Sequence, residues 1–258
     1  MNALMLSGIT LGGALAPYLG VALKNFDPRL PFALSSLSLL AVTAGLIWVE
    51  RHLALQPKVS EQPVMRATAL VAGAGAFLAG CLLLAQGFQI HFSLNSAGQY
   101  LRYTRPGQLE YLMPVFWIGA NVAMFPGAAL AKRHGTLPVI AAEAIIGAGG
   151  TLLAARAPSL DLLIVGQLIA GGAWGCVLMA SFSAALEFGR TGREGLALGL
   201  LFAMLAVAAL VRMAMMVSQL HKLPDFAPAL NWAPIVLWFA GGALFIALAA
   251  RPRGAAAQ

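Results

Sequence analysis

Eight apolar runs, each about as long as a bilayer is thick, govern what this chain can become. They fall roughly at residues 3–23, 31–50, 67–94, 110–131, 137–155, 160–186, 195–218 and 231–250. A helix crossing hydrocarbon needs about 20 mostly apolar residues, and every run is close to that length. Hydrophobic residues make up 60% of the 258 residues and charged residues only 10%, where soluble domains carry about a quarter charged. A water-soluble fold of this length has too little interior to hide so much apolar surface. The sequence therefore predicts an all-α polytopic membrane protein with eight transmembrane helices, in contact with the lipid bilayer along most of its length.

The first run holds the stretch GITLGGALAPYLG at residues 8–20. Ala14-Leu15-Ala16 imitates a signal-peptidase site, but no charged segment precedes the apolar run, and Pro17 occupies the position just after the imagined cut. The run is expected to be a retained membrane helix. Gly8, Gly12, Ala16 and Gly20 recur every four residues along it. Lipid gives no hydrophobic reward for helix–helix contact, so small residues that let backbones approach supply it instead. Gly12, Pro17 and Gly20 are read as helix-packing positions, as are Gly171/Gly175 and Gly195/Gly199.

The polar breaks set the organisation. Lys24 to Arg29 is a tight turn closed by Pro28 and Pro31, and Glu50 to Arg66 is the longest polar link. This gives a two-helix segment at 1–50, a linker at 51–66 and a six-helix unit at 67–258. Eight crossings put both termini on one side. With that side cytoplasmic, inner segments hold Arg51, Lys58, Arg66, Lys132, Arg133, Arg190, Arg193, Arg251 and Arg253. Outer loops then hold Lys24, Arg29, Arg102, Arg105, Arg156 and Lys222. The excess of inner basic residues predicts both termini inside, as in a bacterial inner (plasma) membrane protein. The net charge of +7 is spread over these short connections, without the basic stripe or aromatic platform of a nucleic-acid binder. Cys81 and Cys176 lie singly inside apolar runs, so neither a disulfide framework nor a metal site is expected.

Two motifs give the chain a family likeness. Ala3, Gly12, Ala16, Pro17, Gly20 and Val21 stand where the fifth helix of major facilitator superfamily transporters can carry a glycine-rich pattern. Gly12, Pro17 and Gly20 match it, and the rest are small or apolar replacements. The stretch GAALAKRHGTLPVI, residues 127–140, resembles the basic turn that the superfamily places after its second and eighth helices. Leu130, Arg133 and Gly135 match; Ala128, Lys132, Thr136 and Leu137 depart. The register agrees, since the long link at 51–66 falls at the superfamily's central cytoplasmic loop. EFGRTGREGLALGLLFAM, residues 187–204, likewise resembles the basic loop and small-residue start of an eleventh helix. The resemblance implies a major-facilitator-like six-helix half plus two preceding helices, with counterparts of the first four absent. Superfamily members carry substrate between two halves that rock about a midplane site. A split or truncated transporter is therefore expected, completed by a second membrane chain or by another copy of itself.

The resemblance also implies which helices line the path: here the third, fourth, sixth and seventh runs. On the third, Gln86, Gln89 and Ser93 lie within about 60° on a helical wheel, and glutamine can both donate to and accept from a polar solute. His91, toward the outer end with Asn95, is a candidate for proton coupling or an interfacial ring. On the fourth, Glu110, Trp117 and Asn121 share a face. On the sixth, Gln167 and Trp174 fall on one stripe through Gly171. Arg212 lies about 28 Å beyond Arg193 at the helical rise, at the outer interface, where it is expected to pair with Glu110 as a gate. Glu143 lies about 15 Å beyond Arg133, at mid-membrane depth, and is a candidate proton carrier; its helix is peripheral in the superfamily, which favours a structural hydrogen bond instead.

No nucleophile elbow, phosphate-binding glycine loop or HExxH motif occurs, so no enzyme and no cofactor are expected. The expected function is membrane transport of a small solute by a secondary transporter. The alternative is a non-transporting membrane scaffold or assembly factor with the same fold.

Overall fold

A computed structural model of the chain describes residues 2–54, 73–189 and 192–250. Its described residues are helical, with turns between the helices. Helices α1 (Asn2–Phe26) and α2 (Leu30–Ala54) form a hairpin closed at Asp27, whose carboxylate accepts from the Arg29 amide at 2.7 Å. The expected linker, 51–66, begins as the last turn of α2 and otherwise lies outside the described residues.

Six further membrane-length segments follow. The first is continuous from α3 (Ala74–Phe88) through a π-helical stretch, Gln89–Asn95, into α4 (Ser96–Tyr100). A 3-10 turn at Pro106–Gln108 and the short α5 (Leu109–Leu112) lead to α6 (Val115–His134). Then come α7 (Thr136–Arg156), α8 (Leu160–Phe188), α9 (Glu194–Val217) and α10 (Ala227–Ala249). Seven of the helical segments are long and apolar enough to cross a membrane, and α1, at 25 residues, matches them in length. Short turns make successive helices antiparallel. One end of the bundle carries the α6–α7 turn at Gly135; the other carries the α7–α8 turn at Ala157.

The centre is α8, with 72% of its most apolar window buried, against 0% for α2. It packs on α6 and α7, while α10 packs on α7 and α3. Backbones approach closely because glycines face them. A Cβ on Gly171 would lie 1.9 Å from the Phe116 carbonyl oxygen, one on Gly175 2.5 Å from that of Ala120, and one on Gly119 2.2 Å from that of Leu168. Gly147 and Gly87 give up the volume that Trp238 fills. The packing expected of Gly171/Gly175 is present.

The other glycine faces behave differently. A Cβ on Gly8, Gly12, Gly20, Gly195 or Gly199 would meet nothing within 4 Å. Helix α1 instead packs on α6, and Ala14 is its buried position among the residues whose side chains are described. The ladder of small residues thus faces away from this bundle. Pro17 lies inside α1, with its side chain outside the described set.

Candidate functional site

The third membrane segment changes its winding where its polar residues cluster. In the π stretch the Ser96 amide bonds the His91 carbonyl, five residues back rather than four. In an uninterrupted α-helix, residues five apart diverge by about 140°. The wider π turn brings His91 and Ser96 to one side, both 1% exposed. Single-turn π insertions of this kind occur frequently at functional sites.

Opposite them on α8 is Gln167, also 1% exposed. Its Oε1 accepts from His91 Nε2 at 3.1 Å, while its Nε2 donates to Ser96 Oγ at 3.0 Å and Gln99 Oε1 at 3.2 Å. Ser96 Oγ in turn donates to the His91 carbonyl at 2.9 Å. Both amide protons of Gln167 are committed, so its oxygen faces the imidazole, and this arrangement assigns the ring proton to Nε2. The quartet satisfies its own polar groups inside the bundle, as burial in an apolar medium demands.

Beside the quartet lies an aromatic cluster. Phe88 stacks on Trp174, with ring centroids 4.3 Å apart and planes 5° from parallel. Phe92 and Phe88 meet Trp117 edge-on at 5.4 and 5.9 Å, and Phe116 fills the space between. Trp117 and Trp174, from α6 and α8, are therefore brought together through Phe88 of α3 and Phe92 of the π stretch.

The remaining expected site residues divide. Gln89 and Ser93 stay neighbours, with Ser93 Oγ donating to Gln89 Oε1 at 3.3 Å. Gln86 Nε2 is buried without a hydrogen-bond partner. Asn121 Nδ2 donates to the Trp117 carbonyl one turn back, at 2.9 Å. Glu143 is partly buried on α7 and interacts with the Cys176 thiol, which also donates to the Ala123 carbonyl at 3.1 Å.

Glu110 lies on α5, which leads into α6 through Met113 and Pro114, both in the right-handed helical region. Two expectations fail on geometry. Arg212 does not pair with Glu110: α9 packs mainly on α3 and α8, away from α5, and the buried Arg212 Nε has no partner. His91 is not an interfacial ring, because its helix continues nine residues further, to Tyr100, or about 13 Å.

A family model describing the Major Facilitator Superfamily matches residues 1–213. The chain belongs to this superfamily. It is an integral membrane protein of a class that carries small solutes. Among the curated proteins and the solved structures, nothing matches it.

The turn between α6 and α7, where the sequence resembles the superfamily's basic turn, is made by one residue. Gly135 has φ 91° and ψ 161°, a region open essentially to glycine alone. Arg133 is exposed beside it. The next residue, Thr136, donates from Oγ1 to Glu187 Oε2 on α8 at 3.2 Å, which ties this turn to a third helix.

Ser96, Gln99, Phe88, Phe92 and Phe116 complete the site but were not singled out in the sequence. Ser96 and Gln99 lie past the expected end of the third run at residue 94. The available signal was that polar positions persist at helical spacing as far as Gln99.

Proposed function

We propose that the chain forms the wall of a secondary transporter for a small polar solute. Helices α3, α6, α8 and α9 bear the path, with Gln86, Gln89, Ser93, Trp117 and Asn121 meeting the solute beside the aromatic cluster. Trp174 backs that cluster, and His91 and Gln167 hold the helices in register. The observation that carries this reading is the His91–Gln167–Ser96–Gln99 quartet, deep in membrane-length helices of a superfamily member. Polar side chains at such depth are costly and tend to mark pathways. The opposing wall comes from helices beyond these eight, in this polypeptide, a second copy or another membrane chain. Residues 1–50 act as a two-helix segment, 51–66 as a cytoplasmic linker and 67–258 as a six-helix unit. The excess of basic residues on inner segments supports cytoplasmic termini in a bacterial inner membrane.

The protein is screened by thermal shift against sugars, amino acids and nucleosides, and stabilising solutes are then tested for uptake in proteoliposomes with and without an imposed pH gradient. Uptake that is lost in Gln86→Ala and Trp117→Ala is expected; no saturable uptake of any stabilising solute overturns the transport reading. One observation favours the scaffold alternative. Gln167 spends all its amide protons within the quartet, as a purely structural network does, and a scaffold predicts a stable assembly with no uptake.

A further inference from the structure

At the Ala157 end, one turn beyond Gln99, two hollows meet. The first, about 610 Å³, is lined by Arg102, Ala155, Arg156, Pro224, Pro228, Asn231, Trp232 and Ile235. The second, about 660 Å³, runs along α7 and α10 and is lined by Gly149, Leu152, Leu153, Arg156 and Trp232. Arg156 and Trp232 belong to both. The first hollow presents two guanidinium groups and no lining carboxylate; Asp225 follows Pro224 in the loop without joining the lining. The second is apolar except for its shared rim, and Gly149 leaves it open, since a Cβ there would meet nothing within 4 Å.

The arginines are held in place. Arg102 donates to the carbonyls of Gln99, Ala154 and Ala155, capping the end of α7. A guanidinium has five N–H groups, so two stay available. The Arg156 guanidinium sits 5.1 Å from the centroid of the Trp232 ring. Trp232 is itself exposed on the outer face of the bundle, as tryptophans at membrane–water interfaces are. A positive cup thus opens directly into an apolar gutter on the lipid side.

We propose that this is a binding site for an anionic phospholipid. The headgroup phosphate lies between Arg102 and Arg156, Asn231 adds a polar contact, and one acyl chain follows Gly149, Leu152 and Leu153. Arginine's planar fork suits a phosphate, and the apolar gutter gives the chain a place that a free anion does not use.

The test uses the full chain in phosphatidylcholine vesicles, titrated with brominated phosphatidylglycerol or brominated phosphatidylcholine. Trp232 quenching is obtained by difference from Trp232→Phe. Phosphatidylglycerol is expected to quench at a lower mole fraction than phosphatidylcholine, and Arg156→Gln to weaken that preference about fivefold. Arg156→Lys should retain it in part, and Lys132→Gln, at the opposite end, should leave it intact. Gly149→Phe should weaken quenching by phosphatidylglycerol. Excess inorganic phosphate should not displace the lipid. Equal quenching by the two lipids overturns the proposal. So does a preference that survives both Arg156→Gln and Arg102→Gln, or one that Lys132→Gln removes equally. Displacement by inorganic phosphate with no effect of Gly149→Phe marks a free-anion site and overturns the lipid assignment.

Discussion

The His91 Nε2 of the third membrane segment and the Gln167 Oε1 of α8 lie 3.1 Å apart, with each residue 1% exposed. The contact joins side chains 76 positions apart. A double-mutant cycle with His91→Leu and Gln167→Leu should return a coupling of about 0.6–1.7 kcal/mol in thermal or denaturant unfolding in detergent. His91→Leu alone, which strands the Gln167 oxygen, should be more destabilising than the double variant. Additive single effects would remove the pair from any energetic role.

Gln86 behaves in the opposite sense. Its amide nitrogen is buried without a partner, a state that costs stability. Gln86→Met should raise the unfolding midpoint, by up to about 1 kcal/mol of stability, and abolish uptake of any solute found in the screen. A gain in stability with uptake intact would remove Gln86 from the path.

The glycines separate packing from path. Gly171→Ala places a Cβ 1.9 Å from the backbone oxygen of Phe116, so α6 and α8 must part, at a cost of about 1–3 kcal/mol. Gly195→Ala and Gly199→Ala, which meet nothing within 4 Å, should leave the unfolding midpoint unchanged. Equal losses at all three would mean that α9 is packed on its open face.

Gly135→Ala should cost about 1–3 kcal/mol through backbone strain. Gly135→Asn should not rescue it, because ψ is 161° and asparagine is favoured only in the left-handed helical region. Gly73, at φ 96° and ψ −8°, lies closer to that region and should tolerate asparagine better. Unfolding midpoints of the three variants check this ordering.

Topology can be mapped directly. With Cys81 and Cys176 replaced by serine, a cysteine at Ser60 should react with membrane-impermeant maleimide only from the cytoplasmic side, and one at Thr104 only from the other. Labelling of both from the same side would undo the single crossing between them, Ala74–Tyr100.

Much of the bundle was legible because hydrocarbon demands long apolar runs and charges gather at their ends. The order of the apolar runs follows from that alone, whereas the Gly135 turn came from the family resemblance of residues 127–140. The quartet was not legible, because it depends on a change of winding at Gln89–Asn95 that no residue type there announces. An α-helical wheel sets His91 and Ser96 on different faces; the π turn sets them together. The Glu110–Arg212 pairing failed for a different reason. Similar depth in two helices says nothing of which helices are neighbours, and α9 packs on α3 and α8 rather than on α5. Gly12 and Gly20 carried a genuine small-residue spacing, but spacing does not say which partner, if any, it meets.

The one-residue joint at Gly135, pinned by Thr136 to Glu187, has a mechanical consequence. Helices α6 and α7 cannot slide past each other along the membrane normal, and α8 is clamped to both. In the proposed rocking the three would move as a single lever, while the face of α9 that bears Gly195 and Gly199 meets none of them.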